Sequence, residues 1–238
     1  MKKYTYDTSK YKFRELVSNL FGVSNLEKTH EIKREWIEGD YNKPHVGLYK
    51  SMNEIRGKNK VLPESNSTFH STFYERLNDN WTELYEAYDE FIHNEIIPIM
   101  DERFHYQYLP SFRVQLPNLN HQAVYTWHFD SDNLHRHPKG EINFFLPLTR
   151  AYGTNTIWIE SEPYKLDFKP LEANYGEFWS NNGNVCMHGN KPNITTTTRM
   201  SFDFRIIPLS KYNPNYSNNS AANSKKFLVG HYYKELKN

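Results

Sequence analysis

Cysteine is nearly absent from this 238-residue chain: Cys186 is the only one, so no disulfide can close within it. That suits a reducing compartment. Long apolar runs are missing too. No stretch approaches the roughly 20 apolar residues of a membrane-spanning helix. The basic N-terminus, MKKYTYDTSKYKF, has no apolar segment behind it that would make it a secretory signal. Neither sign of charge is in excess. The 29 Lys+Arg face 28 Asp+Glu, and a net charge of +1 gives no reason to expect a nucleic acid or an anionic membrane as partner. There is no alternating βαβ pattern and no phosphate-binding glycine loop, which disfavours a nucleotide-binding α/β fold. The expectation is a soluble, cytoplasmic protein that handles a small molecule.

Aromatic residues, in contrast, make up 16% of the chain. Each buries a large area, so a modest hydrophobic fraction can still fill a core. Residues 1–238 are long enough for one sizeable domain. In residues 11–21, Phe13, Leu16, Leu20 and Phe21 recur at helical spacing ahead of Gly22, predicting a short amphipathic helix. Trp36 and Ile37 read as anchors, Gly39-Asp40 and Lys43-Pro44 as turns, and residues 51–60 as a loop or an exposed helix. Residues 73–100 give the clearest helix, with Phe73, Leu77, Trp81, Leu84, Tyr85, Tyr88, Phe91 and Ile92 at three- and four-residue steps and Pro98 near its end.

After Pro110 the character changes. Short β-rich runs follow at 112–116, 123–129, 142–148, 156–160, 164–168, 177–179, 185–188 and 199–207, separated by turns rich in Gly, Pro and Asn. Eight such runs predict a sandwich or jelly roll. The expected organisation is a helical N-terminal buttress over 1–109, a β core over 110–208 and a flexible Asn- and Ser-rich tail over 209–238, within which residues 227–233 regain enough hydrophobicity to dock back.

The β part carries the chemistry. His128 and Asp130 are two residues apart, so on a strand they leave the backbone on one face. With a distant His188 they make two imidazoles and a carboxylate, the set that binds Fe(II) in non-haem oxygenases and leaves three positions for cosubstrate and dioxygen. Alternatively, His128 and Asp130 are a hydrogen-bonded pair and His188 is unrelated. Arg199 and Ser201 are also two apart. Arg199 offers a planar fork for a carboxylate and Ser201 a further hydrogen bond. A buried guanidinium needs an anion to offset its desolvation, and that anion is either a bound dicarboxylate or a protein carboxylate such as Asp203. Asp203 and Arg205 continue the same parity and could pair with each other.

The ordered set His128-x-Asp130, His188, Arg199-x-Ser201 resembles the Fe(II)/2-oxoglutarate-dependent dioxygenases. The runs FRVQLP from Phe112, EINFFLPLT from Glu141 and GTNTIWIE from Gly153 resemble, more narrowly, the branch that includes an oxygenase of streptomycin biosynthesis. The resemblance covers about residues 110–208. It implies a double-stranded β-helix, a cupin-like jelly roll, buttressed by N-terminal helices. It implies Fe(II) held by His128, Asp130 and His188, and 2-oxoglutarate chelated to the iron, its distal carboxylate held by Arg199 with Ser201. It implies hydroxylation of a substrate C–H bond by dioxygen, with release of succinate and CO2. The carboxylate at position 130 argues against halogenation, because halogenating members of the family lack it.

Further positions are weighed from the residues alone. Asn143 is set either to bond a cosubstrate carboxylate or to satisfy a backbone group, and Thr149 shares its strand. Arg113 and Gln115 share a strand face at the pocket mouth. His135, Arg136 and His137 form either a loop that closes over a polar substrate or a solvated basic loop. Trp127 is expected in the core, Cys186 as a small buried residue, His121 as structural or exposed, and Asn190 and Asn193 in turns. Plausible substrates are a sugar, an aminocyclitol or an amino-acid derivative. Two other readings use the same architecture: a cupin-type isomerase or epimerase, which would not need Arg199 and Ser201, and a non-catalytic sugar-binding jelly roll, which would need no metal.

Overall fold

Aromatic spacing and strand alternation together set the architecture. A computed structural model describes residues 1–32, 68–117, 127–221 and 224–236. The readings of Trp36, Ile37, Gly39-Asp40, Lys43-Pro44, residues 51–60 and His121, and most of the run 123–129, lie outside the described residues. The described chain is mainly antiparallel β with a layer of helices.

The helices are α1 (Thr8–Tyr11), α2 (Phe13–Phe21), α3 (Thr68–Asn78) and α4 (Thr82–Phe91). The helix predicted at the N-terminus is split in two by Lys12, whose φ is 49°, and ends as expected at Gly22. The single helix predicted over 73–100 is also broken. Asn80 takes a left-handed φ of 63° between α3 and α4, and α4 runs on into a π-helical turn (Ile92–Ile96) and a 3-10 turn (Ile97–Ile99). Apolar spacing is nearly continuous across the break, so periodicity alone could not reveal it.

Among the described residues, ten strands follow the order β1 (Lys2–Thr5), β2 (Phe104–Gln107), β3 (Ser111–Gln115), β4 (Ile142–Pro147), β5 (Ile157–Ile159), β6 (Lys169–Pro170), β7 (Glu177–Asn181), β8 (His188–Asn190), β9 (Arg199–Pro208) and β10 (Tyr233–Glu235). The larger sheet runs β1-β7-β4-β9-β2-β10, with β3 also paired to β9. The smaller sheet runs β6-β5-β8, and an isolated bridge joins His128 to His188 on its far side. The strand predicted over 164–168 does not form, because Tyr164 and Leu166 have φ of 67° and 56°, outside the strand region. Residues 185–187 are likewise outside β8, which begins at His188.

The segments either side of the β core also differ from expectation. Residues 1–109, expected to be helical, contribute β1 and β2 to the larger sheet. Within residues 209–238, expected as a flexible tail in which 227–233 dock back, Phe227, Tyr232 and Tyr233 are buried against Ile207 and β10 pairs with β2. Strands of three or four residues show too little alternation to stand out in a sequence.

Strand β9 organises the core. Its even residues Met200, Phe202, Phe204 and Ile206 face the helices, together with Phe112 and Val114 of β3 and Phe144 and Leu146 of β4. Aromatic contacts fill this layer. Phe73 stacks on Phe112 at 4.3 Å, Phe144 stacks on Phe204 at 4.8 Å, and Phe13 meets Phe202 edge-on at 5.8 Å. The odd residues of β9 face the other way, toward the smaller sheet. Phe202 has no exposed surface and touches rings from α2, α3 and β3. Phe202→Ala should therefore cost about 3–5 kcal/mol. A loss below about 1 kcal/mol in urea denaturation would show that this layer is not the core.

Candidate metal centre

The inward face of β9 is polar. Register places Arg199 opposite Gln115, Ser201 opposite both Arg113 and Pro147, Asp203 opposite Ser111 and Phe145, and Arg205 opposite Asn143. Asn143 is in turn opposite Asn181 of β7, so Arg205, Asn143 and Asn181 form a row across three strands. A pocket between the two sheets is lined by members of this face together with His128, His188, Gly189 and Asn190.

His128, Asp130 and His188 meet at one end of that pocket. Their ligand-capable atoms all lie within 4.8 Å of one another. The main chain sets this up: His128 and His188 exchange both backbone hydrogen bonds, at 2.8 and 3.0 Å, and Asp130 N donates to Gly183 O at 2.9 Å. Asp130 Oδ1 lies 3.5 Å from His128 Nε2 and 3.8 Å from His188 Nε2. Ligands about 2.1 Å from a shared ion and at right angles to one another are about 3 Å apart, so a contraction of under about 1 Å would bring Asp130 Oδ1 to ligand spacing from each imidazole. His188 Nδ1 is 3.1 Å from Cys186 O, which places the proton on Nδ1 and turns the Nε2 lone pair to the pocket. Burial, with His128 beside it, pushes His188 down to about 4, so its imidazole is neutral, as ligation requires. The donor set therefore fits a divalent cation.

The other oxygen of Asp130 is already engaged. Oδ2 accepts from Arg205 Nε and from Asn143 Nδ2, both at 2.6 Å. Burial pushes the carboxyl up, but the Arg205 guanidinium together with His128, His137 and His188 outweighs this and holds it well below the usual carboxylate range. The amide oxygen of Asn143 has no hydrogen-bond partner among the described residues, although it is buried on the pocket wall. A second cluster, Asp130, His137 and Glu141, lies behind the first. There His137 Nδ1 is 2.7 Å from Glu141 Oε2, and Tyr233 donates to the other oxygen, so hydrogen bonds satisfy it without an ion.

Arg199 is the most unusual group in the pocket. It is fully buried, and burial pushes its guanidinium down to about 10. Nε donates to Asn155 O at 2.9 Å, Nη1 to Ser201 Oγ at 2.6 Å and Nη2 to Gln115 Oε1 at 3.4 Å. All three acceptors are neutral, and among the described residues no carboxylate forms an ion pair with it. The two other arginines of the pocket each have one: Arg113 Nε donates to Asp203 at 2.8 Å and Arg205 to Asp130. Asp203 thus pairs across strands with Arg113, and the pairings considered for it with Arg199 or Arg205 are not formed.

The remaining expected residues are placed as follows. Asn143 and Arg113 line the pocket. Gln115 is spent on holding Arg199 and on donating to Lys191 O at 2.6 Å. Thr149 is not on the pocket wall; its hydroxyl accepts from Met200 N at 2.9 Å. His135 stacks on His128 at 4.2 Å and is anchored by Asp132 at 3.0 Å. Arg136 is turned to its own loop, donating to Asn133 O at 2.8 Å. Trp127 is not core: it is 39% exposed and rests on Phe168 at 4.7 Å. Cys186 is buried, as expected. Sequence reasoning missed the Arg205–Asp130 pair and Asn181. Their parity with Arg199 and Asn143 was a signal, but the strand register that joins them was not.

No family profile matches the chain. The chain is 36% identical over 170 residues to the streptomycin biosynthesis protein StrG of Streptomyces griseus, over 71% of this chain and 77% of that protein. Among solved structures it is similar to the nickel complex of the non-haem monooxygenase ThoJ, with a TM-score of 0.40 and 15% identity over 67% of this chain. The match spans 63% of ThoJ, under two thirds of its length. It is also similar to the non-haem alpha-ketoglutarate-dependent carbocyclase SnoK from nogalamycin biosynthesis, with a TM-score of 0.43 and 12% identity over 60% of this chain and 72% of that one. CytC3 with Fe(II) and alpha-ketoglutarate gives a TM-score of 0.45 and 12% identity over 90% of this chain and 78% of that one.

The site is also sterically tight. A β-carbon at Gly183 would stand 3.0 Å from Asn143 Nδ2 and Asn181 Oδ1, and 3.1 Å from His188 Cε1. Gly183→Ala should push His188 and Asn143 out of place and weaken Ni(II) binding about tenfold, a change of about 1.4 kcal/mol. Titration calorimetry with Ni(II) checks this, and an unchanged affinity would mean that the ligands are not held where they stand.

Proposed function

The chain belongs to the family of the streptomycin biosynthesis protein StrG, and from that premise we propose that it is an Fe(II)- and 2-oxoglutarate-dependent dioxygenase on a double-stranded β-helix scaffold. Its substrate is a small polar metabolite, such as a sugar, an aminocyclitol or an amino-acid derivative, which it hydroxylates with release of succinate and CO2. The observation that carries this reading is Arg199: a buried guanidinium whose partners among the described residues are all neutral, opening on the same pocket as His128 and His188. A cationic side chain is seldom stable in a dry site without an anion. A dicarboxylic cosubstrate reaching from the metal ligands to Arg199 supplies one. An isomerase on the same architecture has no use for this group.

Iron(II) with 2-oxoglutarate supplies the activation of dioxygen when bound. The chain's own part is to bind, orient and exclude. His128, Asp130 and His188 hold the cation, with Nδ1 of His188 fixed by Cys186 O. Arg199 and Ser201 take the distal carboxylate of the cosubstrate, and Gln115 and Asn155 keep the guanidinium plane in place. Asn143, with its unpartnered oxygen, and Asn181 and Asn190 present neutral polar groups to whatever shares the pocket. Phe145 and Ile157 close the wall with apolar surface that keeps water low near the reacting atoms.

Anaerobic titration of the apo protein with Fe(II) and 2-oxoglutarate tests the reading. A weak visible charge-transfer band should appear only with both present. Arg199→Ala should lose one or two charge-assisted hydrogen bonds at about 1.5–3 kcal/mol each, weakening 2-oxoglutarate about tenfold to a hundredfold or more, with Fe(II) affinity little changed. If iron binds but no band forms with 2-oxoglutarate, the dioxygenase reading falls.

A further inference from the structure

We propose that Arg205, assisted by Asn143, is a positioning residue that confines Asp130 to ligation through a single oxygen, Oδ1, and thereby keeps a coordination position open for the cosubstrate. The inference rests on the metal centre proposed above. A carboxylate has two oxygens and about four lone-pair directions, and can bind a cation through one oxygen or both. Here the two oxygens are not equivalent. Oδ1 faces the Nε2 atoms of both histidines. Oδ2 receives two donors at 2.6 Å each, which occupy both of its lone pairs. A cation drawn toward Oδ2 would also approach the guanidinium of Arg205.

Arg205 is itself held on several sides. It is buried, its backbone pairs with Asn143 across β4 and β9, and Nη1 reaches Gln107 Oε1 at 3.5 Å. Gln107 is fixed in turn by Tyr232, whose hydroxyl donates to the same oxygen at 2.8 Å, and by its own amide donating to Leu109 O at 2.6 Å. The donor to Oδ2 therefore cannot swing aside without disturbing β2, β9 and the C-terminal segment together.

The consequence is a matter of counting. Three protein ligand atoms on an octahedral ion leave three positions. With a metal ion held there, two of these would be left for a chelating 2-oxo acid and one for dioxygen. If Asp130 bound through both oxygens, only two would remain. Arg205 also cancels the charge of Asp130, so the protein presents no net negative charge to a dianionic cosubstrate at this end of the pocket.

Full-length wild type and Arg205→Leu, each loaded anaerobically with Co(II), separate the possibilities. Cobalt X-ray absorption should show one-oxygen carboxylate ligation in the wild type. In Arg205→Leu it should show the short metal–carbon distance of a two-oxygen carboxylate. Calorimetry should find 2-oxoglutarate weakened about tenfold or more in the variant, with Co(II) bound at least as tightly as before. A variant with the wild-type absorption spectrum and the wild-type 2-oxoglutarate affinity overturns the role of Arg205 and leaves the metal centre standing. A wild type that binds no Co(II) through His128, Asp130 and His188 overturns both. Should Arg205→Leu not fold, Asn143→Ala removes one of the two donors to Oδ2. It should move both readouts in the same direction, and an unchanged spectrum and affinity there overturn the proposal.

Discussion

A strand buried on both faces must solve two problems at once, and β9 solves them with opposite chemistries. Its even residues enter an aromatic layer between the sheet and the helices, where Phe202 and Phe204 touch rings from five elements. Its odd residues are Arg199, Ser201, Asp203 and Arg205, and they carry their charges into the space between the sheets. Alternation at a period of two lets one backbone serve both. Nearly every feature of the site is measured from this strand: β3 lies along one edge, β4 along the other, and the register of each pairing decides which polar groups meet.

Burying three guanidinium groups in one pocket is expensive, because the desolvation of each must be offset by charge or hydrogen bonds. Two are offset within the chain. Arg113 meets Asp203 and Arg205 meets Asp130. The third, Arg199, has only neutral hydrogen-bond partners among the described residues. The same logic separates the two ends of the pocket. At one end, Arg205 holds a carboxylate ionised and aimed at two imidazoles; at the other, Arg199 faces inward with no ion pair among the described residues. A pocket polarised in this way suits a ligand that is neutral or metal-seeking at one end and anionic at the other.

The ends of the chain are part of this arrangement. β1 pairs with β7, and β10 pairs with β2. Tyr232 and Tyr233 reach the network behind Asp130 through Gln107 and Glu141. The backbone N–H of His137 also donates to Asp130 O at 2.9 Å. Residues some hundred positions from Asp130 therefore bear on how it is held, which makes the C-terminal segment a structural support of the site.

Much of this could be read in the sequence. The aromatic spacing of α3 and α4, the short β runs after Pro110, the same-face pairs His128/Asp130 and Arg199/Ser201, and the stop at Gly22 are local properties, because period and parity follow from backbone geometry alone. What the sequence could not decide was who meets whom. Asp203 and Arg205 are near in sequence and point the same way, but neither is the other's partner; Arg113 reaches Asp203 from β3, and Asp130 reaches Arg205 from the turn that follows His128. The break at Asn80, the left-handed turns at Tyr164 and Leu166, and the pairing of β1, β2 and β10 depend on tertiary contacts that outweigh weak local preference. Sequence determined the alternation that gives β9 one apolar and one ionic face. The tertiary structure alone decided that, among the described residues, Arg205 would meet a carboxylate and Arg199 would not, because register between distant strands sets distance, and distance sets which charges cancel.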